Sequence, residues 1–138
     1  MKTWVIVADC RRARIFETDR FFSKLEEIHD LFNPRAQLEL DARGRGREGS
    51  MGVRHGLEPK ETPHETELKA LTQQLSQFLY KSFNEHRFAN MVLIAGPELL
   101  GSLRKTLDAK VLASIERSIN KDLSRCSSDE LSDQLKAA

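Results

Sequence analysis

Two short runs of the chain are apolar without interruption, Trp4 to Ala8 and Met91 to Ala95. A run of this length that is rich in β-branched residues is typical of a strand covered on both faces. We therefore expect both runs to be buried strands, with Trp4 as a core residue.

Shorter alternating stretches follow the first run. Asp9 to Arg11 has the composition of a tight turn, and the pattern from Ala13 to Glu17 predicts a return strand with Phe16 on the opposite face. A third extended stretch, Leu25 to Phe32, ends at Asn33-Pro34. These three pieces predict an antiparallel meander.

Helical patterns dominate the rest of the chain. Thr62 before Pro63, with Glu65 three residues on, forms a capping box, and apolar residues then recur at three- and four-residue steps as far as Phe83. Gly96-Pro97 opens a second helix, and a capping box at Ser127 to Glu130 predicts a short terminal one. Strands that alternate with helices in this order imply an α/β fold.

The stretch from Leu107 to Leu123 is ambiguous. Leu107, Val111, Ile115 and Ile119 are spaced as on a helix, whereas residues 114–120 also fit a strand.

Composition limits the class of protein but leaves its function open. The chain has 138 residues, of which 39% are hydrophobic and 31% charged, with a net charge of +1. This is typical of one globular domain, and we predict a single domain over residues 1–138. Cys10 and Cys126 cannot build a disulfide framework, and no apolar run is long enough for a signal peptide or a membrane span. We expect a cytoplasmic protein without a membrane partner.

The segment from residue 41 to residue 61 differs from its surroundings. Five of the seven glycines lie between Gly44 and Gly56, and four arginines against one acid give residues 43–56 a local charge of +3. Such a long loop is usually functional or disordered, and glycines with guanidinium groups suit phosphate or RNA contact. The alternative is a solvated loop whose charge only maintains solubility. The candidate contacts are Arg43, Arg45, Arg47, Arg54, His55 and Lys60, with Arg11, Arg12 and Arg14 as a second basic cluster.

Other chemistry receives less support from the sequence. Gly44-x-Gly46 does not match a dinucleotide or P-loop fingerprint, which predicts no nucleotide cofactor. His55 with Glu58, and His64 close behind, fit a general base or part of a metal site, but more often such a cluster anchors a loop. We therefore predict neither a metal site nor any other cofactor, and keep His55 as base with Glu58 as its orienting group for an alternative hydrolase.

Three isolated side chains also have a plain structural interpretation. Cys10 beside Arg11 and Arg12 fits a thiol of lowered pKa, although a lone cysteine is usually inert. Asp9 and Asp122 follow apolar segments and are expected to be caps or ion-pair partners rather than a catalytic pair.

Several of these segments together resemble a bacterial family, the proteins required for attachment to host cells. The resemblance lies in the opening Trp4 to Asp9 with Ala13 to Phe16, in Gly52 to Pro59, in Val92 to Pro97 with Leu100 to Arg104, and in Lys121 to Leu123. They cover nearly the whole chain in the expected order.

That family is similar to the middle domain of archaeal and eukaryotic peptide-chain release factors. The resemblance implies a ribonuclease-H-like mixed sheet of about five strands flanked by helices, with a strand over residues 114–120. It also implies that residues 43–60 and the following helix occupy the place of the release-factor catalytic loop. Release factors carry Gly-Gly-Gln there, a tripeptide that this sequence does not contain.

These features lead to one expectation and two alternatives. We expect a non-catalytic module that binds the ribosome or structured RNA through the basic segment. The first alternative is a hydrolase of an ester or phosphodiester with His55 as base. The second is an interaction protein that supports attachment to host cells.

Overall fold

The computed structural model describes residues 2–33 and 62–137. The basic segment, with Arg43, Arg45, Arg47, Arg54, His55, Glu58 and Lys60, therefore lies outside the described residues.

Five strands form one mixed sheet among the described residues. In chain order they are β1 (Thr3–Ala8), β2 (Arg12–Thr18), β3 (Glu26–Phe32), β4 (Asn90–Ala95) and β5 (Ile115–Asn120). The spatial order is β3-β2-β1-β4-β5. The first three strands are antiparallel to one another, which confirms the meander, whereas β1, β4 and β5 are parallel.

Four helices of the described part of the chain cover this sheet. They are α1 (Pro63–Asn84), α2 (Pro97–Thr106), α3 (Ala109–Ser114) and α4 (Ser128–Ala137). Both predicted capping boxes are confirmed. In Thr62 and Glu65 at the start of α1, and in Ser127 and Glu130 at the start of α4, each side chain accepts a hydrogen bond from the backbone N–H of the other residue. None of the helices in residues 2–33 and 62–137 has the length and apolar character needed to cross a bilayer.

The two faces of the sheet bury separate apolar clusters. Trp4, Ile6 and Ile15 lie on one face, in a cluster with apolar residues of α1, α2 and α3. Phe16 lies on the other, in a cluster with Leu131 and Leu135 of α4. Because β1 is covered on both faces, all six of its residues are buried, as its apolar run predicts.

The ambiguous stretch near the C-terminus contains both elements. Helical spacing holds only to Ser114, where α3 ends, and β5 begins at Ile115. The register of β5 against β4 shifts after Ile115, so Ile115 packs against one apolar cluster and Ile119 against the other. The strand implied by the family resemblance is confirmed, and a helix continuing through residue 123 is wrong.

Candidate functional site

The carboxyl edge of the parallel strands brings together residues that are far apart in sequence. We use this name for the edge at which β1, β4 and β5 end, with Asp9 to Arg12, Asn33, the first turn of α1 and the start of α2. Parallel strands end at the same edge of a sheet, and in α/β folds this edge is where ligands bind.

Asp9 shapes the β1–β2 turn at this edge. Its Oδ1 accepts hydrogen bonds from the backbone N–H groups of Arg11 at 2.7 Å and Arg12 at 2.9 Å. The Asp9 N–H donates in turn to the Arg12 carbonyl. Asp9 is therefore a turn cap, as expected from the sequence. Asp122 has the same role beyond β5, since it accepts from the N–H and the hydroxyl of Ser124.

Asn33 joins that turn to the first helix. Its side-chain amide donates to the carbonyls of Cys10 at 2.6 Å and Glu67 at 2.7 Å, and its N–H donates to the Arg11 carbonyl. Asn33 is only 1% exposed, so these bonds form where water does not replace them. The amide thereby fixes Cys10 against the first turn of α1, and we call its two hydrogen bonds the Asn33 clamp.

Beside this clamp lie three side chains with metal-ligating atoms. One ligand atom each from Cys10, His64 and Glu67 lies within 4.8 Å of the others. The imidazole Nε2 of His64 is 3.0 Å from Oε1 of Glu98, which lies in the first turn of α2. Pro63 starts α1, and the three-residue spacing places His64 and Glu67 on one side of it. We call Cys10, His64, Glu67 and Glu98 the edge cluster.

The edge cluster does not activate its thiol. Burial raises the pKa of Cys10, and the nearby carboxylates of Glu67, Asp9, Glu98 and Asp122 raise it further. The neighbouring arginines therefore do not lower the pKa of this thiol, which agrees with the interpretation of Cys10 as an inert cysteine. A thiol of raised pKa is largely neutral at pH 7, which disfavours Cys10 as a free nucleophile.

Arg12 and Arg14 lie on one face of β2 among acidic side chains. Arg14 makes two hydrogen bonds to the Glu27 carboxylate and two to the carbonyls of Ser124 and Cys126. Its side chain is only 11% exposed. Arg12 is more open and is 3.2 Å from Asp30. Arg14 thus joins β2 and β3 to the segment before α4, while Arg11 is exposed at the turn.

The structure adds Glu67, Glu98 and Asn33 to the candidate residues derived from the sequence, and it places them beside Cys10. Weak signals for them exist, since Cys10 follows a strand and His64-x-x-Glu67 opens a capped helix. Neither signal shows that the two segments meet. That requires β1 beside β4 and the Asn33 clamp.

The chain is similar to one known protein family and to several solved structures. A family model described as "Protein required for attachment to host cells" matches residues 4–135. No curated protein matches the chain. Among solved structures, one titled "Archaeal protein" is similar to 99% of this chain at 9% identity with a TM-score of 0.47. The chain spans only 36% of that structure's length.

The Asn33 clamp predicts a large effect of a small change. Asn33→Asp replaces the donating amide with a carboxylate that faces two carbonyl oxygens. We expect it to lower the free energy of unfolding by roughly 2–4 kcal/mol, because a charged carboxylate is then buried and faces two carbonyl oxygens to which it cannot donate. Urea denaturation measures this. Asn120→Asp is the matched control, since Asn120 is exposed at the end of β5, and equal losses in both variants would contradict the clamp.

Arg14 and Arg12 form a second matched pair. We expect Arg14→Ala to cost roughly 2–4 kcal/mol of unfolding free energy, because Glu27 and two carbonyls lose their partner. Arg12→Ala should cost about 1 kcal/mol or less, as for an open ion pair. Equal losses from the two substitutions would refute the structural role of Arg14.

The hydrogen-bonded ion pair of Arg14 and Glu27 predicts that the stability of the fold depends on pH. Hydrogen bonds from Arg14 hold the pKa of Glu27 below its ordinary value of 4.5, against the opposing effect of partial burial. The Glu27 contribution to stability is therefore fully present above that ordinary value and is lost as the pH falls through the lower folded pKa. The stability difference between wild type and Arg14→Ala should narrow below pH 4.5 in urea titrations, and a constant difference down to acid unfolding would contradict it.

Proposed function

The chain belongs to the family of proteins required for attachment to host cells, and from this premise we propose that it acts as a cytoplasmic, non-catalytic module that binds structured RNA or the ribosome. In this proposal the basic segment supplies most of the contacts, through Arg43, Arg45, Arg47, Arg54, His55 and Lys60. The module supports attachment indirectly, through the RNA that it binds.

One observation carries the proposal. The described residues that flank the basic segment, Asn33 and Thr62, both lie at the carboxyl edge, where Asn33 donates to the Glu67 carbonyl of the first helical turn. The described ends of the chain on either side of residues 34–61, which include the segment with a local charge of +3 between residues 43 and 56, thus lie at one end of the sheet. Arg11 is exposed at the same end.

The chemistry of the basic segment suits phosphate rather than base recognition. Guanidinium groups bind phosphate oxygens with paired hydrogen bonds, and glycines allow a close approach of the backbone. Contacts of this kind position a nucleic acid without reading its sequence. Among the second basic cluster, Arg11 is the exposed side chain at the carboxyl edge, and we propose that it adds a contact there.

A release-factor-like origin is the finer part of the proposal. The mixed five-stranded sheet with helices on both faces is compatible with a ribonuclease-H-like fold. The resemblance of Gly52 to Pro59 to the family signature adds to this, because that resemblance implies that the segment occupies the place of the release-factor catalytic loop. We propose that this chain retains the RNA-facing position of that loop without its peptidyl-tRNA hydrolysis.

The proposal predicts a change in salt dependence. Replacing Arg43, Arg45, Arg47 and Arg54 with Ala should weaken binding to a labelled RNA hairpin. It should also reduce the slope of log K against log[salt] by about 3, at roughly 0.7–0.9 per lost phosphate contact. Fluorescence anisotropy over a KCl series measures both quantities, and sedimentation with purified bacterial ribosomes tests the larger partner.

A second four-charge variant is the control. Arg20, Arg104, Lys105 and Lys110 are exposed residues outside the carboxyl edge, so their replacement with Ala changes the net charge equally. It should leave most of the salt slope in place. Equal slopes in the two variants, or no RNA and ribosome binding by wild type, would overturn the proposal. A His55-dependent activity on ester or phosphodiester substrates would then favour the hydrolase.

The link to attachment is tested in cells. A strain deleted for the gene should regain attachment with the wild-type chain and not with the variant that lacks the four segment arginines. Full rescue by that variant would separate attachment from RNA binding. Protease treatment of intact cells adds a direct check, because digestion of the protein from outside would favour a surface interaction instead.

A further inference from the structure

We propose that the edge cluster is a binding site for a divalent transition-metal ion of the zinc type, with Cys10, His64 and Glu67 as ligands. This inference is independent of RNA binding, and the sequence alone did not predict it. It rests on the convergence of three different ligating groups from two elements that are more than fifty residues apart in the chain.

The donor set selects the kind of metal. A thiolate, an imidazole nitrogen and a carboxylate oxygen together are typical of Zn²⁺, whereas Mg²⁺ and Ca²⁺ prefer oxygen ligands alone. Three protein ligands leave a fourth position of a tetrahedral site for water or an external group. Binding requires the thiolate, so the Cys10 proton passes to solvent when the Cys10–metal bond forms.

The spacing of the ligand atoms is close to that of a bound site. Ligand atoms around tetrahedral zinc are separated by about 3.6 Å, from metal–ligand distances of about 2.0–2.3 Å. The three atoms here lie within 4.8 Å of one another, so binding draws them together by at most about 1.2 Å. Half of the His64 side chain is exposed, which leaves its ring free to make this adjustment.

Two further residues support the ligands from outside. The side-chain amide of Asn33 donates hydrogen bonds to the carbonyls of Cys10 and Glu67, so it fixes the backbones of these two proposed ligands relative to each other. Glu98 lies 3.0 Å from His64 Nε2 and so orients the ring beside the other two ligands. A carboxylate that holds a metal-bound histidine in this way is a common feature of zinc sites.

The local charge balance also favours a cation. The N-terminus of α1 and the exposed Arg11 disfavour a positive ion at this edge. The carboxylates of Glu67, Glu98, Asp9 and Asp122 have the opposite effect, and all four interact electrostatically with the Cys10 thiol. These carboxylates favour a divalent cation beside the thiol.

Titration of the full-length, reduced and chelator-treated protein with Zn²⁺ and Co²⁺ tests the proposal. We expect one saturable equivalent of Zn²⁺ by calorimetry and, with Co²⁺, the near-ultraviolet charge-transfer absorption of a thiolate ligand. Cys10→Ser should abolish that absorption, while Glu67→Gln and Glu98→Gln should weaken Zn²⁺ binding by about 10- to 100-fold.

Because the chain has only two cysteines, single substitutions can identify which thiol binds the metal. Cys126→Ser leaves Cys10 as the only thiol of the chain, so persistence of the charge-transfer absorption in that variant identifies Cys10 as the ligand even if Cys10→Ser does not fold. His55→Ala should bind like wild type. No saturable binding by wild type, loss of the absorption in Cys126→Ser with circular dichroism unchanged, or loss of binding in His55→Ala would overturn the site.

Discussion

The side-chain amide of Asn33 holds the carboxyl edge together. It donates hydrogen bonds to a carbonyl in the β1–β2 turn and to one in the first turn of α1. The backbone N–H of Asn33, which follows β3, donates to the Arg11 carbonyl. The Asn33 amide is itself buried, and a buried polar group that loses its hydrogen-bond partners costs more than an ordinary hydrogen bond contributes. The relative positions of Cys10, Glu67 and the flanks of the basic segment all follow from it.

This arrangement gives the two ends of the sheet different chemistry. At the carboxyl edge, acidic side chains surround a thiol and an imidazole, and the flanks of a strongly basic segment lie beside them. At the opposite end, the β2–β3 turn displays Phe21 with Arg20 over its ring, and Phe22 has a positive φ of 56°. RNA binding and metal binding are separate proposals, but both place function at the carboxyl edge, where α/β sheets commonly bind ligands.

Local pattern was enough for most elements of the fold. Continuous apolar runs predicted β1 and β4 because strands covered on both faces exclude polar residues, and the Thr62–Glu65 capping box predicted the start of α1. The pattern failed between Ser114 and Ile119. A spacing of four residues fits both a helix face and a strand face, and a shift of register in β5 sends Ile115 and Ile119 to different faces. The family resemblance, not the periodicity, indicated this strand.

The candidate site was much less predictable, for a physical reason. Cys10 and His64 meet only because β1 lies parallel to β4 and because Asn33 pins the turn to the helix. Single-sequence patterns report on neighbours within about one or two turns and carry no information on such pairings. Arg12 and Arg14 show the opposite case. They look like a free basic patch in sequence, but acids on the adjacent strand, absent from the local motif, pair with them.

Backbone amide chemical-shift mapping during titration with an RNA hairpin tests the central claim most directly, because it reads both ends of the sheet in one experiment. If the account holds, the largest shifts will fall on the basic segment, residues 43–60, with smaller ones on Cys10, Arg11, Asn33 and His64, while the signals of Phe21, Phe22 and Arg117 do not move. Saturating changes confined to Phe21, Phe22 and Arg117 would contradict the account, since binding would then use the opposite end of the molecule.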